Sequence, residues 1–275
     1  MLNFIAHPTD FSEHSVLAFA HALRLAIASK SRLVLLHVTS SENGHEWSSF
    51  PHVRELLGRW GMLESNASRR DISARLGIEV SKVEIRHADP AVGLFEFFLS
   101  HRPDLIVLST HGREGLNRWL SGSVSEEVAR QTHIPTLFLG PKAHGFVDAA
   151  TGEIRIERVL VPIAHSPLPA LTLSVVNDVM VSTGSPAPSL QLIHVGNKVP
   201  ALSTTSSVSC LPVKLVKGPV VDRILTIADE GDVQLIAMPT AGHQGFLDML
   251  RGSTTERVLR QAPCPVLGVS AYDHS

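Results

Sequence analysis

One spacing occurs twice in this chain, and it restricts the fold more than any bulk property does. Ser109-Thr110-His111-Gly112 is followed, after nine residues, by Gly122-Ser123-Val124-Ser125. Pro239-Thr240-Ala241-Gly242 is followed, again after nine residues, by Gly252-Ser253-Thr254-Thr255. Each copy comes after an apolar run, Leu105 to Leu108 and Val233 to Met238, that reads as a buried parallel strand. A helix from roughly Val124 to Gln131 is predicted after the first. Backbone N–H groups at a strand-to-helix turn can surround a phosphate, and the helix N-terminus adds partial positive charge. One such loop is a weak signal. Two with identical glycine spacing imply a duplicated unit.

The 275 residues then divide into two units near 140 residues each, enough for one core apiece. The apolar fraction is 44% and the aromatic fraction only 5%, the aliphatic profile of parallel sheets covered by helices. Lys plus Arg (24) nearly balance Asp plus Glu (26), so the chain shows no electrostatic footprint for nucleic acid. No apolar stretch reaches the roughly 20 residues of a membrane span, and the start, Met1 to Ile5, reads as a strand rather than a signal peptide. Cys210 and Cys264 stand in unrelated contexts, which argues for a reducing compartment, hence the cytoplasm.

Taken in order, Asn3 to His7 is a first strand, ended by Pro8-Thr9-Asp10-Phe11-Ser12, with Asp10 or Ser12 available to cap the next helix. That helix shows apolar positions at Val16, Phe19, Ala20, Leu23 and Ile27. Arg32 to Val38 is a second strand. A second helix is expected from about His52 to Leu76, with Asn66 as its weak point. Lys82 to His87, Asp104 to Ser109 and Thr136 to Leu139 complete five strands, with a helix from Ala91 to Ser100. Alternating strands and helices predict a doubly wound parallel sheet with right-handed crossovers. Lys142 to Glu153 is weakly patterned and reads as a linker, giving units 1–142 and 153–275. The second unit repeats the plan in Arg158 to Pro162, Leu171 to Met180, Leu190 to Val195, Val213 to Lys217, Val221 to Glu230, Val233 to Met238 and Val266 to Val269. Val38 to Gly112 spans 74 residues but Val195 to Gly242 only 47, so the second unit is expected to lack about one helix.

Two readings stand at each motif. Ser123 with Glu126, and Ser253 with Glu256, fit a capping box; that does not account for Gly112 and Gly242 upstream, and a capped helix still presents N–H groups. Asp10 is either an N-cap or a ligand-facing carboxylate at the carboxyl end of the first strand, where open α/β sheets bind ligands. The second unit has Ala164 there. His111 and Arg113 either face phosphate oxygens or solvent. His37 and His194 lie in strand patterns and read as core or strand-end residues. No metal-ligand spacing, P-loop, Gly-x-Gly-x-x-Gly or Gly-x-Ser-x-Gly elbow occurs, so neither a metal site nor a catalytic constellation is predicted.

With these residues in view, the chain resembles a tandem universal stress protein. The resemblance is carried by Pro8-Thr9-Asp10-Phe11-Ser12, Leu36-His37-Val38, the two glycine loops, Thr132-His133-Ile134-Pro135-Thr136 and Gln261-Ala262-Pro263-Cys264-Pro265-Val266. Ser109 and Pro239 stand where the family's nucleotide binders have glycine. The resemblance implies strand order 3-2-1-4-5 in each unit and a pseudo-twofold axis. It implicates Pro8, Thr9, Asp10, Val38, Ser109, His111, Gly112, Arg113, Gly122, Ser123, Val124 and Ser125 in binding ATP or AMP, with Mg²⁺ accompanying ATP. Gly242, Gly252, Ser253, Thr254 and Thr255 form a second candidate phosphate site. The function expected is that of a stress-response nucleotide sensor, not an enzyme, with an unidentified protein partner, a homodimer, and no nucleic acid or membrane as partner. The alternatives are a nucleotide-independent scaffold and a slow ATPase. The fifth strands, apolar and at sheet edges, are expected to pair antiparallel with each other, and proline at Leu137 or Leu267 to loosen that contact.

Overall fold

The computed structural model describes residues 1–13, 15–40, 49–64, 66–110, 133–166, 169–184, 188–200, 212–240 and 254–270. The first half runs β1 (Phe4–Pro8), α1 (Ser15–Ser29), β2 (Arg32–Thr39), α2 (Val53–Arg59), α3 (Arg69–Leu76), β3 (Val80–Arg86), α4 (Pro90–Ser100), β4 (Leu105–Ser109) and β5 (Thr136–Leu139). The second half runs β6 (Arg158–Pro162), α5 (Ala170–Thr183), β7 (Ser189–Val195), β8 (Val213–Val216), α6 (Val220–Glu230), β9 (Leu235–Thr240), α7 (Thr254–Gln261) and β10 (Val266–Ser270). The helix expected at Val124 to Gln131, and residues 201–211 where the second half was expected to be one helix short, lie outside the described residues.

All ten strands form one sheet, ordered β3-β2-β1-β4-β5-β10-β9-β6-β7-β8. Each half therefore has the order 3-2-1-4-5, and the two are joined at their fifth strands. Pairing within each half is parallel, and β5 meets β10 antiparallel. The pseudo-twofold axis passes by the pair Leu137–Leu267, flanked by Thr136–Gly268 and Phe138–Val266. The strands are apolar along their length because helices cover both faces. Alternate residues feed two cores: Ile5, Leu35, Val107, Leu137 and Leu267 pack with α1, α2, α3 and α5, while Ala6, Leu36, Leu108, Phe138 and Val266 pack with α4, α6 and α7. Cys264 belongs to the second core; burial pushes its thiol up to about 12, which keeps it unreactive.

Two stretches add to the sequence reading. The helix expected over His52 to Leu76, with its break near Asn66, is two helices, and the first ends where Gly61 takes φ +66°. Ser68 then restarts the chain with a capping box: its Oγ accepts from Asp71 N, and the Asp71 carboxylate accepts from Ser68 N. Lys142 to Glu153 was expected to be a featureless linker, yet part of it is packed core. Phe146 and Val147 are buried, and Val147 bridges Ile154 antiparallel. The His21 Nδ1–H of α1 donates to Leu17 O at 2.8 Å while its Nε2 accepts from Val147 N at 3.1 Å. Arg24 donates to Gly152 O and Trp60 to Ala149 O. A Cβ on Gly145 would land on the His21 ring. Two apolar residues followed by a turn are too short a pattern to announce this, and the partners lie 89 to 128 residues upstream.

Pairing also has a direction that the sequence reading missed. Ile106 N donates to Pro135 O and Thr110 N to Leu139 O. In a parallel ladder the backbone groups alternate between neighbours, so Leu137 bonds to β4, whereas Thr136 and Phe138 face β10. Proline at Leu137 would thus break β4–β5, not the contact between halves. The informative variant is Gly268→Pro, which removes an N–H from the Thr136–Gly268 pair with no loss of a core side chain. It should destabilise the chain by about 1–3 kcal/mol and speed hydrogen exchange in both β5 and β10. Unchanged exchange there would contradict the assigned pairing.

The buried histidines set a pH dependence. Burial holds His21 and His7 down to about 4, from an ordinary 6.5. Both must be neutral: a proton on His21 Nε2 would oppose Val147 N–H, and His7 donates to Val107 O at 2.8 Å with its Nε2 buried and unpaired. The unfolded chain binds these protons at higher pH than the folded one, so their contribution is fully present above about pH 6.5 and is lost as pH falls towards 4. Each is worth on the order of 3 kcal/mol at full extent. Urea unfolding between pH 7.5 and 4.5 should show this loss, and His21→Gln should reduce the slope by about one proton; an unaltered slope in that variant would exclude the assignment.

Candidate functional site

The chain reverses strand order between β1 and β4, so the carboxyl ends of these strands form a topological switch point, where open α/β sheets bind ligands. The turn after β1 is built from its own side chains. Thr9 N extends the ladder to Leu36 O at 2.8 Å, and Thr9 O accepts from His37 Nδ1 at 2.8 Å. Thr9 Oγ1 accepts from Phe11 N and lies 3.2 Å from Ser15 Oγ, which donates to Ser12 O. Phe11 adopts φ +61°, unusual for a residue with a side chain. Its ring stacks on His37 at 4.0 Å and meets the edge of Phe50 at 5.1 Å, and these contacts hold the strained turn.

Asp10 sits in this turn, half-buried, and its Oδ1 accepts from Ser12 N at 3.0 Å. This bond closes the turn ahead of α1, which starts at Ser15. Val38 is half-buried at the end of β2, and Ser109 is buried at the end of β4. Pro8 pairs with Leu36, and Ala6 with Ile106, so Pro8, Thr9, Val38 and Ser109 lie at nearly the same level on the carboxyl edge. His111, Gly112, Arg113, Gly122, Ser123, Val124 and Ser125 lie outside the described residues.

The second half repeats the fastening of the strand end but not the left-handed turn: Phe11 has a positive φ and its counterpart His165 does not. Ile163 N donates to Ile193 O at 2.8 Å, and His194 Nδ1 donates to Ile163 O at 2.9 Å. His37 and His194 are therefore equivalent strand-end residues, each fastening the turn of the neighbouring strand. His165 replaces Phe11 and sets its ring across His194 at 5.1 Å. Ala164, exposed, stands where Asp10 does. Pro239 lies inside β9, opposite Val269. Thr254 and Thr255 open α7 and are half-buried; Gly242, Gly252 and Ser253 lie outside the described residues. Phe50 is the site-supporting residue that sequence reasoning missed. It sits beyond a polar stretch, and nothing local marks its contact with Phe11. Among the described residues, no helix is long and apolar enough to cross a membrane.

Comparison with known proteins agrees with this architecture. The universal stress protein family matches residues 1–139 and 201–270. The universal stress protein MJ0531 of Methanocaldococcus jannaschii is 30% identical over 136 residues, covering 48% of this chain and 79% of that protein. Among solved structures, a universal stress protein from Archaeoglobus fulgidus superposes with a TM-score of 0.64 at 23% identity, over 99% of this chain and 98% of its own. A functionally unknown Pseudomonas aeruginosa protein, PA1789, gives 0.61 at 15% identity, over 98% and 92%. The chain belongs to the universal stress protein family.

Proposed function

We propose that the first half binds an adenine nucleotide, ATP or AMP, and that the chain acts as a nucleotide-sensing regulator in a stress response rather than as an enzyme. The observation that supports this most is the contrast between Asp10 and Ala164 at equivalent strand ends, each fastened by a histidine. A carboxylate at the switch point can accept hydrogen bonds from a ribose hydroxyl pair. Val38 offers a half-buried apolar surface beside it for a purine. The loop Gly112 to Ser125 would supply backbone N–H groups and hydroxyls to the phosphates, with Mg²⁺ held by phosphate oxygens and water when ATP is bound. The second half keeps the histidine-fastened strand end but neither the left-handed turn nor the acid, and Pro239 removes an N–H from the corresponding strand end, which favours a scaffolding role for that half.

The test is titration of the purified chain with labelled ATP and AMP. Asp10→Ala should raise Kd at least tenfold, about 1.4 kcal/mol, while His165→Ala should leave it within twofold. Gly122→Val should abolish binding, since a side chain would fill the space that the backbone leaves for a phosphate. Equal effects of the Asp10 and His165 substitutions, or no saturable binding at millimolar nucleotide, would overturn the reading.

A further inference from the structure

The outer edge of the first half carries a groove that the nucleotide reading leaves unused. It lies between α2, α3 and β3 and encloses about 1050 Å³. Val53, Ile72, Ile78 and Val80 supply an apolar floor, and one cation rises from each wall: Arg54 from α2, Arg70 from α3 and Lys82 from β3. The two acids of the groove already have partners. Glu55 pairs with Arg59 at 3.2 Å, and Glu79 faces Arg69 at 4.0 Å. Among the described residues no carboxylate pairs with Arg54, Arg70 or Lys82. Lys82 is half-buried, with its ammonium 5.5 Å from the centre of the Phe50 ring. Burial, and then the charge of Arg54, hold it below the usual lysine range.

Among the described residues β3 is a terminal strand of the sheet, so the groove runs beside an edge that pairs on one side only. The equivalent strand of the second half differs: Leu35 pairs with Lys82 and its counterpart Leu192 with Val213, so an apolar residue stands in place of the lysine there.

We propose that this groove is a docking site for an acidic peptide of a partner protein, bound in an extended conformation. An extended chain directs alternate side chains to opposite sides. One set would rest on the apolar floor, and the other would bring carboxylates or phosphates to Arg54, Arg70 and Lys82. A lone inorganic anion would leave the floor unused. Phe50 is only 1% exposed, so its ring offers no open face on which a nucleic-acid base could stack.

The test is fluorescence anisotropy on the full chain with two labelled nonapeptides: one alternates Glu with Leu or Val, and the other carries phosphoserine in place of Glu. At least one should bind saturably, more weakly as salt rises. The double variant Arg70→Glu, Lys82→Glu, checked for folding by circular dichroism, should lose at least tenfold. The milder Lys82→Gln should lose about threefold if the double variant does not fold. Asp10→Ala should bind as the native chain does, which separates this site from the nucleotide site. No saturable binding of either peptide at millimolar concentration, unchanged affinity in the variants, or tighter binding of a single-stranded oligonucleotide at equal salt would each overturn the proposal.

Discussion

Two antiparallel pairs, Thr136–Gly268 and Phe138–Val266, turn two domains of the same plan into a single ten-stranded sheet. Each half alone would end in an apolar edge strand, a template for unwanted pairing. Joining the two edges removes both at once and buries Leu137 and Leu267 in one core and Phe138 and Val266 in the other. The contact is locked further by His133, which lies 2.8 Å from Ser270 Oγ, and by His144 N, which donates to Pro263 O. Gly140 belongs to the same junction: a Cβ there would come within 2.7 Å of Leu259 O, so the close approach of the second half requires the absence of a side chain. With the fifth strands committed to each other, β3 and β8 become the only sheet edges among the described residues.

The two halves share strand order and register and differ in the turn at the strand end. The register of β1 on β2 matches that of β6 on β7, and a strand-end histidine fastens the turn in both halves. The differences fall in the turn at the carboxyl edge: aspartate against alanine, and a left-handed phenylalanine against a histidine without positive φ. A frame held by hydrogen bonds and core packing tolerates such exchanges, because neither position contributes to the ladder. The same logic applies at the outer edge, where lysine in β3 and valine in β8 occupy equivalent places in equivalent strands.

Much of this was legible in the sequence, for identifiable reasons. Near-continuous apolar runs such as Arg32 to Val38 announce buried parallel strands, and Pro135 and Pro265 mark the starts of the two fifth strands. Their apolar character gave the antiparallel junction. The features missed are those in which a local pattern meets a distant partner. Phe146 and Val147 are packed by His21, whose ring gives no sign of it in α1. The left-handed turn at Phe11 depends on His37 and Phe50. Hydrogen-bond direction in β5 follows from its register with β4, which apolar patterning does not encode. The glycine loops, the clearest sequence signal of all, lie largely outside the described residues, so the phosphate contacts they imply rest on spacing and resemblance.

The two halves are proposed to form an asymmetric pair, with a nucleotide site beside Asp10 in the first and none beside Ala164 in the second. Stoichiometry separates this arrangement from two equivalent sites. Isothermal titration of the native chain with ATP and Mg²⁺, with active protein concentration determined independently, should give close to one nucleotide per chain. Two equivalent sites per chain, or no binding heat at all, would contradict it.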